Sequence, residues 1–138
     1  MWCGGNLVSA SSTGDVAILE ECGDEDEGIV ELKWTPRTSN PHTKKLFCLC
    51  PVSRDSFLST GMDRQLALWR NGEVVHLAHG LGGFAYSLDI SPLAPNRIAV
   101  GTGDNMLRLW WPDQNKVHQV SATNQNLFFR SRDWLSAN

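Results

Sequence analysis

Phe57-Leu58-Ser59-Thr60-Gly61-Met62-Asp63-Arg64-Gln65-Leu66-Ala67-Leu68-Trp69 returns 41 residues later as Ile98-Ala99-Val100-Gly101-Thr102-Gly103-Asp104-Asn105-Met106-Leu107-Arg108-Leu109-Trp110. Each copy reads as two short strands around a tight turn: apolar and small residues alternate, and Gly, Asp or Asn interrupts the middle. Asp63 and Asp104 are separated by the same interval as Trp69 and Trp110, so the repeat holds at both landmarks. A third copy, Leu7 to Leu19, superimposes fifty residues upstream of Phe57 to Trp69 without a gap. It lacks the Trp and the turn Asp but keeps the alternation. A period of about 40 to 45 residues with four strands per unit is the pattern of a propeller blade.

The repeated pairs are then the second and third strands of successive blades. First strands are expected at Lys45 to Cys50, closed by Pro51, and at Phe84 to Asp89, followed by a turn holding Pro92 and Pro95, which cannot donate to a ladder. Fourth strands are expected at Ile29 to Trp34, Glu73 to His76 and Lys116 to Val120. The organisation is a partial, degenerate blade with an acidic loop over 1–43, a blade over 44–80, a blade over 81–123 and a divergent tail over 124–138. The fold class is all-β: about three four-stranded antiparallel blades of a WD-repeat β-propeller, not closed. Propellers close with about four to eight blades, so the expectation is a fragment whose first blade lacks its innermost strand.

Blades stack face to face, so both faces of a third strand are covered. Leu66 and Leu68 are expected to press one neighbour, and Ala67 and Trp69 the other. Trp69 and Trp110 are read as structural, and Asp63 and Asp104 as turn residues that bond nearby backbone amides. Arg108 shares a face with Trp110, where its stem can cover apolar surface while the guanidinium reaches solvent.

The run Glu20-Glu21-Cys22-Gly23-Asp24-Glu25-Asp26-Glu27 reads as a solvated loop. A net charge of −3 excludes nucleic-acid binding by bulk charge, so any RNA contact needs a local patch. Among Cys3, Cys22, Cys48 and Cys50 there is no zinc spacing, and His42, His76, His79 and His118 are scattered; no metal and no cofactor is expected. No Ser, His and Asp set has a context that suggests a nucleophile, no phosphate-cradling Gly loop is followed by a helix and no acid pair has a plausible separation, so no enzymatic activity and no small-molecule substrate are expected. No apolar run reaches the roughly 18 residues of a membrane helix, and no membrane partner is expected.

Antiparallel strands place the loops entering first strands on the same rim as the turns joining second to third strands. That rim collects Lys44, Lys45, Arg64, the loop His79-Gly80-Leu81-Gly82-Gly83 and Phe84. Phe84 and Tyr86, two apart on a strand, project to one side at the mouth of the channel. Aromatics beside cations are the usual means of holding unstacked bases; an aromatic pair at strand spacing can equally be core.

The stretch Leu81-Gly82-Gly83-Phe84-Ala85-Tyr86-Ser87-Leu88, with Ile98 to Trp110 behind it and Leu49-Cys50-Pro51 and Leu58 to Arg64 before it, resembles the WD-repeat Gemin subunit of the survival-motor-neuron complex. The resemblance covers roughly residues 44 to 110. It implies a subunit that recognises small nuclear RNA, including the Sm site and the methylguanosine cap, for assembly of spliceosomal ribonucleoproteins, in company with the other subunits of that complex. It also implies a location in the cytoplasm and the nucleus, nuclear bodies included. The matching aromatics belong to the RNA- and cap-binding surface, which assigns Phe84 and Tyr86 here with Arg64, Lys44 and Lys45 around them. The alternative is a WD-repeat scaffold that binds only proteins.

Overall fold

The computed structural model describes residues 1–22, 31–36, 40–94 and 96–121. Its strands form three four-stranded antiparallel sheets, each built from consecutive segments of chain. The first sheet holds β1 (Trp2–Cys3), β2 (Asn6–Ala10), β3 (Val16–Cys22) and β4 (Glu31–Pro36) in that order. The second holds β5 (Leu46–Pro51), β6 (Ser56–Gly61), β7 (Leu66–Arg70) and β8 (Glu73–Ala78). The third holds β9 (Ala85–Ile90), β10 (Ile98–Thr102), β11 (Met106–Trp111) and β12 (Lys116–Ser121). Among the described residues there is no α-helix, and the three blades do not close into a ring.

Local chemistry accounts for the hairpins. The β7–β8 connection is Asn71-Gly72, both at positive φ (51° and 77°), the pairing that suits the tight turn twisting with its strands. The three second-to-third-strand turns share one demand, a left-handed residue at the same place: Gly14 at φ 97°, Arg64 at 60° and Asn105 at 61°. Ala10 pairs with Val16, Thr60 with Leu66 and Gly101 with Leu107, so the three turns are in register.

The core lies between the sheets. Leu58, Leu66 and Leu68 of the second blade meet Ile98, Val100 and Trp110 of the third. Ala67, Trp69 and Phe57 meet Val8, Val16 and Ile18 of the first. The two faces of β7 therefore serve different neighbours as the alternation requires, and both tryptophans are fully buried. Phe57 and Trp69 lie directly across the β6–β7 ladder with rings stacked at 5.4 Å. Burying a large apolar side chain contributes on the order of 2 kcal/mol, and each sandwich holds several.

Three details differ from the sequence reading. The first blade does have an innermost strand: Trp2–Cys3 pairs with Asn6–Leu7 across Gly4 and Gly5. Two residues carry too little alternation to be read as a strand. The third strand of that blade runs through Cys22, so Glu20, Glu21 and Cys22 belong to the ladder opposite Lys33, Leu32 and Glu31 rather than to a loop. Thr35 Oγ1 donates to Glu20 Oε2 at 2.8 Å, which supports an acid at a strand position. The rest of the acidic run and the tail over 124–138 lie outside the described residues. Arg108 does not send its guanidinium into solvent; the residue is 5% exposed and its head group turns inward to Asp104.

Candidate nucleic-acid interface

The second and third blades each tie the loop entering the innermost strand to their own second-to-third-strand turn. Met62 N donates to Lys45 O, and Gly103 N to Phe84 O, both at 2.8 Å. Leu81 N donates to Arg64 O at 3.3 Å, which brings the glycine-rich loop of the third blade onto the turn of the second. Lys45, Arg64 and Phe84 thereby converge on one rim.

A ladder of cations and rings results. Lys45 Nζ lies 5.8 Å from the centre of the Phe47 ring, and the Arg64 guanidinium carbon 5.8 Å from that of Phe84. Phe47 and Tyr86 approach to 4.8 Å between centroids, and Phe84 and Tyr86 meet edge to face at 6.2 Å. Tyr86 is 49% exposed, unusually open for a ring on an inner strand. Arg64, Gly82, Gly83, Phe84, Tyr86 and Asp104 line an open hollow of about 250 Å³. Lys44 is exposed one residue before Lys45, its carbonyl beside Gly14 of the first blade. So Phe84, Tyr86, Arg64 and Lys45 are brought together, while Lys44 flanks them without a ring contact.

Phe47 was not among the expected residues. It stands in β5 where Tyr86 stands in β9: the ladder jumps from Leu46↔Gly61 to Cys48↔Thr60, and from Ala85↔Thr102 to Ser87↔Gly101. Phe47 and Tyr86 are each the extra residue of a bulge, which re-aims a side chain out of the regular alternation. The available signal was the pair Lys45-x-Phe47, directly ahead of the half-buried Cys48 and three residues before Cys50 on the same strand.

Behind the rim the two aspartates are held differently. Asp63 accepts from Gln65 N (3.3 Å), Thr43 N (3.2 Å) and the buried His42 ring, whose Nδ1 is 2.9 Å away. His42 Nε2 meets Ser59 Oγ at 2.7 Å, and Trp69 Nε1 donates to that same hydroxyl at 2.8 Å. Burial lowers the His42 pKa below its ordinary value, and the Asp63 carboxylate opposes that shift without overcoming it. In the third blade Val100 replaces Ser59, and the Trp110 indole nitrogen is buried without a partner. Asp104 there turns to side chains and not to backbone amides as expected. It accepts from Arg108 Nη2 at 2.6 Å, Arg108 Nη1 at 2.8 Å and Thr102 Oγ1 at 2.6 Å. Those bonds hold its carboxyl far below the usual carboxylate range. Because Arg108 offsets Asp104, the hollow is not made hostile to phosphate by the acid at its floor.

Ser59, His42 and Asp63 are bonded in the order of a hydrolytic triad, but Ser59 is fully buried and its hydroxyl also accepts from Trp69 Nε1, so the set binds the blade together and presents no hydroxyl to the rim. Among the described residues no group of His, Cys, Asp or Glu could hold a metal ion. Cys3, Cys48 and Cys50 are free thiols; Cys3 is buried and donates to the carbonyls of Ser53 (3.3 Å) and Ser56 (3.4 Å).

No protein-family model matches the chain. Curated proteins do. Component of gems protein 5 of Dictyostelium discoideum is 43% identical over 58 residues, 42% of this chain and 4% of that protein. Gem-associated protein 5 of Mus musculus is 37% identical over 82 residues, 55% of this chain and 6% of its own length. The Homo sapiens protein of the same name is 39% identical over 75 residues, 50% of this chain and 5% of its length. The chain spans only about one-twentieth of the length of the curated relatives it matches. Three four-stranded antiparallel sheets, not closed, are the architecture of part of a β-propeller, and over the matched part the chain is similar to Gem-associated protein 5 and Component of gems protein 5.

Proposed function

We propose that the rim formed by the second and third blades is a non-catalytic binding surface for small nuclear RNA, able to take an unstacked base or a methylguanosine cap. The chain would act with the other subunits of the survival-motor-neuron complex in spliceosomal ribonucleoprotein assembly, in the cytoplasm and in nuclear bodies. The observation that carries this reading is the continuous series Lys45, Phe47, Tyr86, Phe84, Arg64, in which rings and cations touch in turn. An electronegative ring face attracts a cationic methylguanine as well as a guanidinium, and stacking contributes on the order of 1 to 3 kcal/mol per base. Arg64, Lys45 and Lys44 supply the local positive charge that a chain of net charge −3 lacks in bulk.

The test is fluorescence anisotropy with capped and uncapped single-stranded RNA carrying an Sm-site sequence, at two salt concentrations. Phe84→Ala and Tyr86→Ala should each weaken binding by about tenfold, in keeping with the loss of one stacking platform. Absence of any RNA retention by the wild-type chain, together with capture of a protein partner on the same rim, would instead establish the protein-only scaffold.

A further inference from the structure

The Phe47–Tyr86 pair does more than extend the ladder, because it separates two hollows. On one side lies the hollow of Arg64, Phe84 and Tyr86. On the other, between the first and second blades, lies an open hollow of about 410 Å³ lined by Phe47 with Met1, Ala10, Leu46, Cys48 and Leu49. Each side is approached by a cation lying over a ring, Arg64 over Phe84 and Lys45 over Phe47. The pair is made by the same bulge in two consecutive innermost strands, so both rings leave the alternation at the same height and meet across the blade junction.

We infer that the Phe47–Tyr86 pair is a wedge between two consecutive bases of single-stranded RNA: one base enters the Arg64–Phe84–Tyr86 hollow and its neighbour enters the hollow beside Phe47. This rests on the RNA-binding reading above and specifies its ligand as two adjacent, unpaired, splayed nucleotides. Lys45 and Arg64 stand where they can neutralise the phosphates that flank the wedge. A duplex keeps its bases stacked and cannot present two splayed faces, so paired RNA is excluded from this site.

The whole chain is titrated with a short uridine-rich single-stranded oligoribonucleotide, the same strand annealed to its complement, and a series lacking one base at each position in turn. Phe47→Leu keeps an apolar side chain but removes the stacking face. It should weaken binding of the intact single strand about tenfold, a typical loss for one stacked base, while Phe47→Tyr should not. In the wild type, loss of a base should weaken binding at two adjacent positions, and at one of these Phe47→Leu should add nothing further. The duplex should not bind. If Phe47→Leu binds like wild type while Phe84→Ala loses affinity, or only one position is sensitive in the wild type, the wedge is wrong and the single-base site stands. If the wild type binds none of the probes, the RNA-binding reading fails and the wedge fails with it. The base-removal series on wild-type protein decides the question even if Phe47→Leu folds poorly.

Discussion

Trp69 Nε1 donates to Ser59 Oγ at 2.8 Å deep in the second blade, and through that hydroxyl the indole is joined to His42 and then to Asp63. The chain of bonds ties strand β7, strand β6, the loop entering β5 and the β6–β7 turn into one unit. In the third blade the same four elements meet around Val100, with no acceptor for the Trp110 indole; Arg108 and Thr102 hold the turn Asp instead.

Ser59→Val reproduces in the second blade what the third already has, without the Arg108 substitute. It leaves Trp69 Nε1 and His42 Nε2 buried and unpaired. A buried polar group deprived of its partner costs about 1 to 3 kcal/mol, so a loss of about 2 to 3 kcal/mol is expected in urea unfolding. A loss too small to resolve would mean that the bonded chain adds nothing to blade stability.

His42 makes that unit sensitive to pH. Its folded-state pKa lies below the ordinary histidine value of 6.5, mainly because burial disfavours the imidazolium. The unfolded chain therefore binds the proton more readily. Stability is complete above the unfolded pKa of about 6.5 and is lost as pH falls through that value towards the folded one. The melting temperature of the wild type should decline from about pH 7 to about pH 5, and His42→Gln should lack that part of the slope. Parallel melting curves for the two proteins over this range would rule the linkage out.

Asp104 titrates with the same sign in a lower window. Its hydrogen bonds from Arg108 and Thr102, and the Arg108 charge, keep the folded-state carboxyl far below the usual range. Its contribution is present above the unfolded carboxylate pKa of about 4 and disappears only as pH falls beneath that. The difference in melting temperature between wild type and Asp104→Asn should hold constant above about pH 5 and shrink progressively below about pH 4. A difference that changes between pH 5 and 7 would assign the shift to another group.

The blades were legible because their signals are local or strictly periodic. The interval between Trp69 and Trp110 marks the repeat, and the alternation Leu66, Ala67, Leu68, Trp69 already contains the two interblade faces that the clusters realise. Phe84 and Tyr86 are close in sequence, so their proximity on the rim could be read directly; their role there is the proposal above. His42 could not be read in the same way, since its partners Ser59 and Asp63 lie a hairpin away and neither spacing is periodic. Phe47 was hidden for a different reason: a bulge breaks the two-residue period on which facing is inferred. Arg108 reads as solvent-seeking from sequence because a long cationic side chain does so until a carboxylate in the neighbouring turn, here Asp104, is known to meet it.

Arg64 is the residue at which the rim and the fold disagree. The turn position it occupies is left-handed, and the matching residues of the other two blades are Gly14 and Asn105, the types that accept such a conformation with least strain. An arginine there gains nothing from the backbone, yet its guanidinium lies over Phe84 at the edge of the hollow. Arg64→Asn should therefore relieve strain and stabilise the chain by about 1 kcal/mol. It should also weaken single-stranded RNA binding about threefold to tenfold, through loss of the cation over the ring and of its attraction for phosphate. The affinity difference should narrow as salt is raised, because the phosphate share is screened. A variant that is less stable, or that binds RNA as the wild type does at low salt, would show that Arg64 is held there by packing and not by a ligand.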